Sequence, residues 1–235
     1  MAAATRVPGW ALLSAAASPV LLIGGWLLAD AVQPVGYSPM RQTVSVLAGH
    51  GGAHRWIMTS ALVVVGLLHL VTATGLRCLR PAARIVLVVA GLAALGVAAF
   101  PEPAHGSTVR HVACTAVGAV AIAAWPAFVG RLQWAGSAVL GVRASVLVTA
   151  VFAVLLLWLV AETRHGDALG LAERLSSSVQ ICWPFAVALA ARRRVRALAR
   201  GGVPSRDQLS RGAVPSRDQL SRSRQLREAR PVPLR

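Results

Sequence analysis

The chain has 235 residues, of which 56% are hydrophobic and only 14% are charged, and its mean hydropathy is +0.62. Soluble domains usually carry about 25% charged residues, so this composition excludes an ordinary soluble protein and indicates a membrane protein. The net charge of +16 is concentrated near the C-terminus, where residues 192–235 hold 13 arginines and three acids. We therefore interpret the excess charge as a property of one tail.

Six apolar runs follow one another along residues 1–191. At 1.5 Å per residue, about 20 helical residues cross the roughly 30 Å hydrocarbon core of a bilayer. The sequence therefore predicts an all-α polytopic membrane protein, a bundle of six transmembrane helices. The predicted spans are 10–31, 57–76, 85–100, 111–130, 144–161 and 175–191.

The polar stretch of residues 30–56 separates the first two spans and contains the only tyrosine, Tyr37. Its sequence predicts a short amphipathic helix with Ser38 as N-cap and Pro39 at the first helical position. Three apolar residues at i, i+4 and i+7 spacing would face the bundle or the membrane, so we expect the stretch to lie on the bundle as a lid. Those residues, and the glycine that would end the helix, are Met40, Val44, Leu47 and Gly49.

The arginines predict the orientation of the bundle, because arginine is enriched in cytoplasmic loops. With six spans, both termini lie on the same side. If that side is the inside, the inner segments up to residue 200 hold 11 arginines and the outer loops hold five. We therefore expect a multi-pass protein of the plasma membrane with both termini cytoplasmic, and the polar stretch of residues 30–56 outside.

The composition of residues 192–235 predicts a disordered, arginine-rich cytoplasmic tail, because a segment rich in Pro, Ser, Gly and Arg has too few apolar side chains to form a core. An 11-residue tandem repeat occupies 201–211 and 212–222. Arginines beside an inner membrane face attract anionic lipid headgroups. The tail has no aromatic side chain on which bases could stack, so we expect no nucleic-acid partner. The headgroup candidates are Arg192, Arg193, Arg194 and Arg196.

Histidines and carboxylates gather at the predicted outer ends of the helices. Such groups could line a polar pocket, bind a transition metal or relay protons, and they could equally be solvated loop residues. His50 and His54 are four residues apart, but the Gly51-Gly52 pair between them favours a loop over a helical ligand pair. We assign no catalytic residue, metal or cofactor. The pocket candidates are Asp30, Tyr37, Ser45, His111, Glu162 and Arg164, and the weak metal candidates are His50, His54, His105 and His165.

Several segments resemble a known family. They are the turn at residues 36–39, the Thr-Val-Ser-Val-Leu segment at 43–47, the Gly/Ala-rich step at 49–53, and the GLAERLSSSVQICWPF run that contains Arg174 and Trp183. With these motifs, residues 10–191 resemble the bacterial and archaeal six-helix membrane proteins catalogued as domain of unknown function 998. The resemblance implies the fold class and a membrane location, and it implies no activity.

Three functions remain open on the sequence alone. The protein could handle small molecules or lipids, or assist envelope processes, through an outer-facing pocket. It could be an intramembrane hydrolase that uses the outer His, Glu and Asp residues with a metal, or a structural lipid-interacting protein without a site. The chain has no nucleophile elbow, phosphate-binding loop or HExxH motif, which favours a non-enzymatic role. The pocket hypothesis requires four side chains to meet in one cavity: Tyr37, His111, Glu162 and Arg164.

Overall fold

A computed structural model describes residues 7–130 and 137–201 of the chain. All secondary-structure elements of the described part are helices, and loops and turns join the seven of them. In chain order they are α1 Gly9–Ala31, α2 Val44–Ala48, α3 Trp56–Gly75, α4 Pro81–Ala99, α5 Val109–Val129, α6 Val142–His165 and α7 Leu169–Gly201.

Within the described residues, five helices are long and apolar enough to cross a membrane: α1, α3, α4, α5 and α6. The chain is therefore a polytopic membrane protein built as a helical bundle, which confirms the predicted fold class. The sixth predicted span, 175–191, lies inside α7. That helix is not among the five, because polar residues flank and interrupt its apolar part.

Two helices, α4 and α7, begin at least four residues before the predicted spans, and α6 ends four residues after its predicted span. α4 begins at Pro81, whose missing N–H is not needed in the first helical turn. α7 begins at Leu169 and continues through Ala191 to Gly201, although the sequence predicts a disordered tail from residue 192. Arginine and alanine are good helix formers, so the helix need not end with the apolar run. Residues 202–235, which hold nearly all of the tandem repeat, lie outside the described part.

Consecutive long helices pack side by side, α3 on α4, α4 on α5 and α5 on α6, while α1 packs on α3. Glycines set the closest approach between α3 and α4. A Cβ added at Gly66 would lie 2.8 Å from the carbonyl oxygen of Gly91, and one added at Gly91 would lie 2.8 Å from that of Gly66. Small residues of this kind let transmembrane helices touch through their backbones. This compact unit ends at Arg193, and the chain from Arg194 belongs to a second unit.

The short helix in the first loop is present as α2, but it begins later than predicted. Its N-cap is Thr43, whose Oγ1 accepts a hydrogen bond from the Val46 amide at 3.3 Å. The predicted N-cap at Ser38 is wrong. Residues 38–42 form a separate turn in which the Gln42 amide donates to the Ser38 carbonyl at 2.8 Å.

The predicted apolar face of this helix is buried in part. Val44 and Leu47 are buried, while Met40, which lies in the preceding turn, is 49% exposed. Leu47 packs in an apolar cluster with Met58 of α3 and Ile181 of α7. This cluster anchors α2 on the bundle, and we call the end of the bundle where it lies the α2 end.

Candidate functional site

Arg174 of α7 holds the α2 segment, residues 32–55, against the bundle. Its side chain is only 5% exposed. The Nη1 atom donates to the carbonyl oxygens of Pro39 at 2.9 Å, Gln42 at 2.7 Å and Gly170 at 3.1 Å. Because the first two carbonyls belong to the turn before α2, this side chain ties the turn to α7, and the Leu171 amide adds a bond to the Met40 carbonyl at 3.0 Å.

Asp30 and Tyr37 complete the surroundings of this guanidinium. Nη2 of Arg174 lies 2.7 Å from Asp30 Oδ1 and also donates to the Tyr37 hydroxyl, which donates to the same Asp30 oxygen at 2.6 Å. The guanidinium carbon lies 5.5 Å from the centre of the Trp26 ring, within cation–π range. Burial and the Asp30 hydrogen bond raise the pKa of Tyr37 above its ordinary value, so its hydroxyl remains a donor. Both Nη atoms of the buried charge are therefore hydrogen-bonded and Nη2 is ion-paired, while Nε has no hydrogen-bond partner among the described residues.

Glu173, the preceding residue, accepts hydrogen bonds from backbone amides, whereas Arg174 donates to backbone carbonyls. Its Oε2 accepts from the Val44 amide at 2.5 Å, and the Ser45 amide also donates to this carboxyl. These are the first two residues of α2, whose amides have no partner inside the helix. Burial disfavours the charged form more strongly than these bonds favour it, and it raises the pKa of Glu173 to about 7.

We call Glu173 and Arg174 together the α7 clamp. One accepts from the amides at the start of α2, and the other donates to carbonyls of the turn before it. The clamp explains why no helix begins at residue 39, because the Pro39 carbonyl is bonded to Arg174 instead of to a following amide. Gly170 is part of the same junction, since a Cβ there would collide with the Pro39 and Gln42 carbonyl oxygens.

Next to α2 lies a cavity of about 180 Å³ to which all seven helices contribute side chains. Val44 and Ser45 of α2 line it, so the α2 segment forms part of its wall. Most of the remaining wall is apolar and comes from α1, α3, α4, α5 and α6. These apolar residues include Leu22, Val65, Ala93, Val97, Ile122 and Leu156.

The polar part of the wall is a stripe on α7. Glu173, Ser176, Ser177 and Gln180 all line the cavity. Their i, i+3, i+4 and i+7 spacing places them on one face of the helix. From the first to the last, the stripe extends about 10 Å at 1.5 Å per residue. The cavity therefore has its largest group of polar side chains on one wall, set among largely apolar walls.

Besides Ser45 of α2, the polar side chains of His69 on α3 and Thr115 on α5 also line the cavity. His69 is buried, and its Nδ1 lies 2.9 Å from the Val65 carbonyl oxygen. Because a carbonyl can only accept, the neutral ring carries its hydrogen on Nδ1 and keeps Nε2 as an acceptor. No arginine or lysine is found among the described residues that form the wall.

A second polar cluster joins the loops at the α2 end. His111 is 3% exposed, with Nδ1 at 2.9 Å from the Phe100 carbonyl oxygen and Nε2 at 3.5 Å from Glu102 Oε1. The Glu102 carbonyl accepts from the His50 amide at 2.8 Å. The loop between α4 and α5 therefore bonds to the α2 segment, which is held from a second side.

A family model described as a protein of unknown function, DUF998, matches residues 6–190. The chain belongs to the DUF998 family. The matched residues include the α7 clamp, the polar stripe and the whole cavity wall. No curated protein and no solved structure matches the chain.

In this member of the DUF998 family, the predicted pocket residues lie in several places. Asp30 and Tyr37 meet at Arg174, and Ser45 lines the cavity. His111 lies outside the cavity wall and is 3.4 Å from Thr115, which belongs to it.

The other two predicted pocket residues lie at the end of α6. Glu162 accepts from the Ala168 amide at 2.9 Å, and Arg164 is exposed in the last turn. Neither lines the cavity, so Tyr37, His111, Glu162 and Arg164 do not converge there.

The weak metal candidates are all exposed, and His54 adopts a positive φ of 48° in the loop before α3. Over residues 7–130 and 137–201, no three His, Cys, Asp or Glu side chains are gathered as a metal ion would require. The four histidines are His50, His54, His105 and His165.

Glu173 and Arg174 were not predicted as site residues, because the predicted sixth span begins at residue 175 and leaves both in the loop before it. α7 in fact begins at Leu169, which places them inside a helix. The helical spacing from Glu173 to Gln180 was a signal of a polar face. This polar face could be recognised only if the helix was known to begin at Leu169.

We expect Arg174→Gln to loosen the α2 segment. The substitution leaves the Asp30 carboxylate without its cation and removes the bonds to the turn carbonyls, and breaking a buried pair costs about 3 kcal/mol. The thermal-unfolding midpoint should fall, and trypsin should cut the folded protein at the exposed Arg41 and Arg55, as mapped by mass spectrometry. Arg164→Gln is the matched control and should change neither property. Unchanged trypsin cleavage in Arg174→Gln would contradict the clamp.

Glu173→Gln tests the protonation of the clamp carboxyl. With its pKa raised from 4.5 to about 7, the folded protein takes up this proton at a higher pH than the unfolded chain. The resulting stabilisation is fully present below about pH 4.5 and is lost as the pH rises through about 7. We expect Glu173→Gln, which stays neutral, to gain in unfolding temperature over the wild type as the pH is raised from about 5 to about 8. The exposed Asp167→Asn is the control, and its difference in unfolding temperature from the wild type should not change with pH. If the difference between Glu173→Gln and the wild type is also independent of pH, Glu173 does not titrate in this range.

Proposed function

We propose that this protein binds a small amphiphilic molecule in the cavity between its helices, with the α2 segment as the cover. The supporting observation is the polar stripe on α7 among largely apolar walls. Ligand sites are mostly apolar concave surfaces with a few polar groups that orient the ligand. An amphiphile would place its polar groups along the stripe from Glu173 to Gln180 and its apolar part against α4 and α5.

The size of the cavity supports a compact ligand. Its 180 Å³ is below the roughly 300–1,000 Å³ of sites that enclose drug-sized molecules. The ligand is therefore a short amphiphile or one end of a lipid. A purely structural bundle has no need for a carboxyl, an imidazole and an amide around an internal cavity, because burying polar groups costs free energy.

We further propose that residues 175–191 of α7 form a sixth span, with both termini in the cytoplasm and the protein in the plasma membrane. The excess of arginine in the segments that this topology places inside supports the orientation. The α2 segment and Glu173 then lie at the outer side, just outside the hydrocarbon. Arginines on the inner side would bind anionic lipid headgroups. They are Arg192, Arg193, Arg194 and Arg196.

A filled cavity should not bind ligand. We expect Ala93→Phe, which places a ring in the cavity wall, to abolish saturable binding of octyl-chain amphiphiles to the protein in nanodiscs, measured by scintillation proximity with tritiated probes. Leu92→Phe is the matched control, because Leu92 on the same helix is 54% exposed and faces away. Its binding should equal that of the wild type. Equal binding in both variants would overturn the proposed function.

The orientation predicts which loops are accessible from outside the cell. In a background without native cysteines, Ser107→Cys should react with a membrane-impermeant maleimide on intact cells, since it lies in the exposed loop between α4 and α5. Arg80→Cys, in the exposed connection before α4, should react only after permeabilisation. The reverse pattern would invert the proposed topology.

A further inference from the structure

We propose that the cavity selects amphiphiles with a cationic head, which the Glu173 carboxylate holds at the α2 end of the polar stripe. This inference rests on the proposed function and names the chemical class of the ligand. It follows from the charges that the wall presents and from those that it lacks.

Among the described residues, the wall presents one carboxyl and no permanent cation. Its other titratable side chains are His69 and Cys114, and within the described residues Glu173 forms no ion pair. An anionic head placed here would meet a like charge in a low-dielectric setting, where repulsion is strong. A cationic head would instead supply the ion partner that the carboxylate lacks.

The neighbouring guanidinium does not take this role. Arg174 is already bonded to Asp30, Tyr37 and three backbone carbonyls, and it is absent from the cavity wall. The two clamp residues therefore have different roles. Arg174 is committed to the α2 segment, while Glu173 bonds to α2 and also faces the ligand space.

The remaining polar groups of the wall suit a cation as well. Nε2 of His69 is an acceptor in the neutral ring, and the Gln180 amide and the Ser176 and Ser177 hydroxyls can each present an oxygen lone pair. The acceptors of Ser176, Ser177 and Gln180 lie along one stripe, so a head with several N–H or polarised C–H groups finds more than one partner. Quaternary and protonated amines both meet this description.

Protons compete with such a ligand for the same carboxyl. The charged groups that act on Glu173 are Arg174 from α7 and Glu102 from the loop before α5, while α2 contributes two backbone amides. His69 and Cys114 share the cavity, and the lining residues of α1 and α6 are apolar. Since burial raises the pKa of Glu173 to about 7, a bound cation displaces a proton below that pH. Affinity for a permanent cation should then fall roughly tenfold for each pH unit well below 7.

The test compares three octyl-chain probes of different charge: octyltrimethylammonium, octanediol and octanesulfonate. Binding to the full chain is measured in nanodiscs of uncharged phosphatidylcholine, so that partition into lipid cancels between protein variants. At about pH 8 we expect the ammonium to bind at least about tenfold more tightly than the other two, the size expected for one charge-assisted contact. Lowering the pH to about 6 should weaken the ammonium by roughly tenfold and leave the diol unchanged.

Variants assign the effect to the carboxyl. Glu173→Gln should remove the preference for the ammonium and its pH dependence, and Glu173→Asp, which keeps the charge, should retain both. Asp167→Asn is the control outside the cavity. Equal binding of the three probes by the wild type, or an unchanged preference in Glu173→Gln, would overturn the inference and leave the proposed function standing. Absence of saturable binding for all three probes would overturn both.

Discussion

A buried guanidinium must find acceptors, and the placement of Arg174 makes the α2 segment supply most of them. Transfer of an isolated charge out of water costs many kcal/mol, so Arg174 can be buried only when the turn carbonyls, Asp30 and Tyr37 are in place. The carbonyls come from the turn before α2, and Asp30 comes from the end of α1. The position of the α2 segment, and with it one wall of the cavity, follows from this requirement.

Glu173 links the position of the α2 segment to the cavity. Its carboxyl bonds to the first amides of α2 and also lines the ligand space, so the charge state of one group acts on both. Ionisation strengthens the bonds to the amides and is opposed by burial. A group balanced in this way near neutral pH responds to a neighbouring cation, whereas a fully solvated or fully paired carboxylate would respond little.

The long apolar helices could be predicted from the sequence because about 20 apolar residues have few alternatives to a membrane span. The start of α2 could not, because the Pro39 and Gln42 carbonyls are bonded by a residue more than a hundred positions away. Glu173 and Arg174 were missed for a related reason, since α7 begins several residues before its apolar run does. Glu162 differs, because it lies in the last turn of α6, where its carboxylate accepts a bond from the Ala168 amide, and it does not line the cavity.

The clamp contacts its cover almost entirely through backbone atoms, and this has a consequence for mutational tolerance. Side chains of residues 38–41 can be exchanged without loss of the bonds, as long as the path of the chain is kept. Gln42 is the exception, because its Oε1 accepts from the Ser38 amide at 3.0 Å and closes the turn. Gly170 has no such freedom, because any larger residue displaces the Pro39 and Gln42 carbonyls. A mutational scan should therefore find a permissive turn facing an intolerant position on α7. Variants with altered turns would offer a way to reshape the cover while the Arg174 and Glu173 bonds persist.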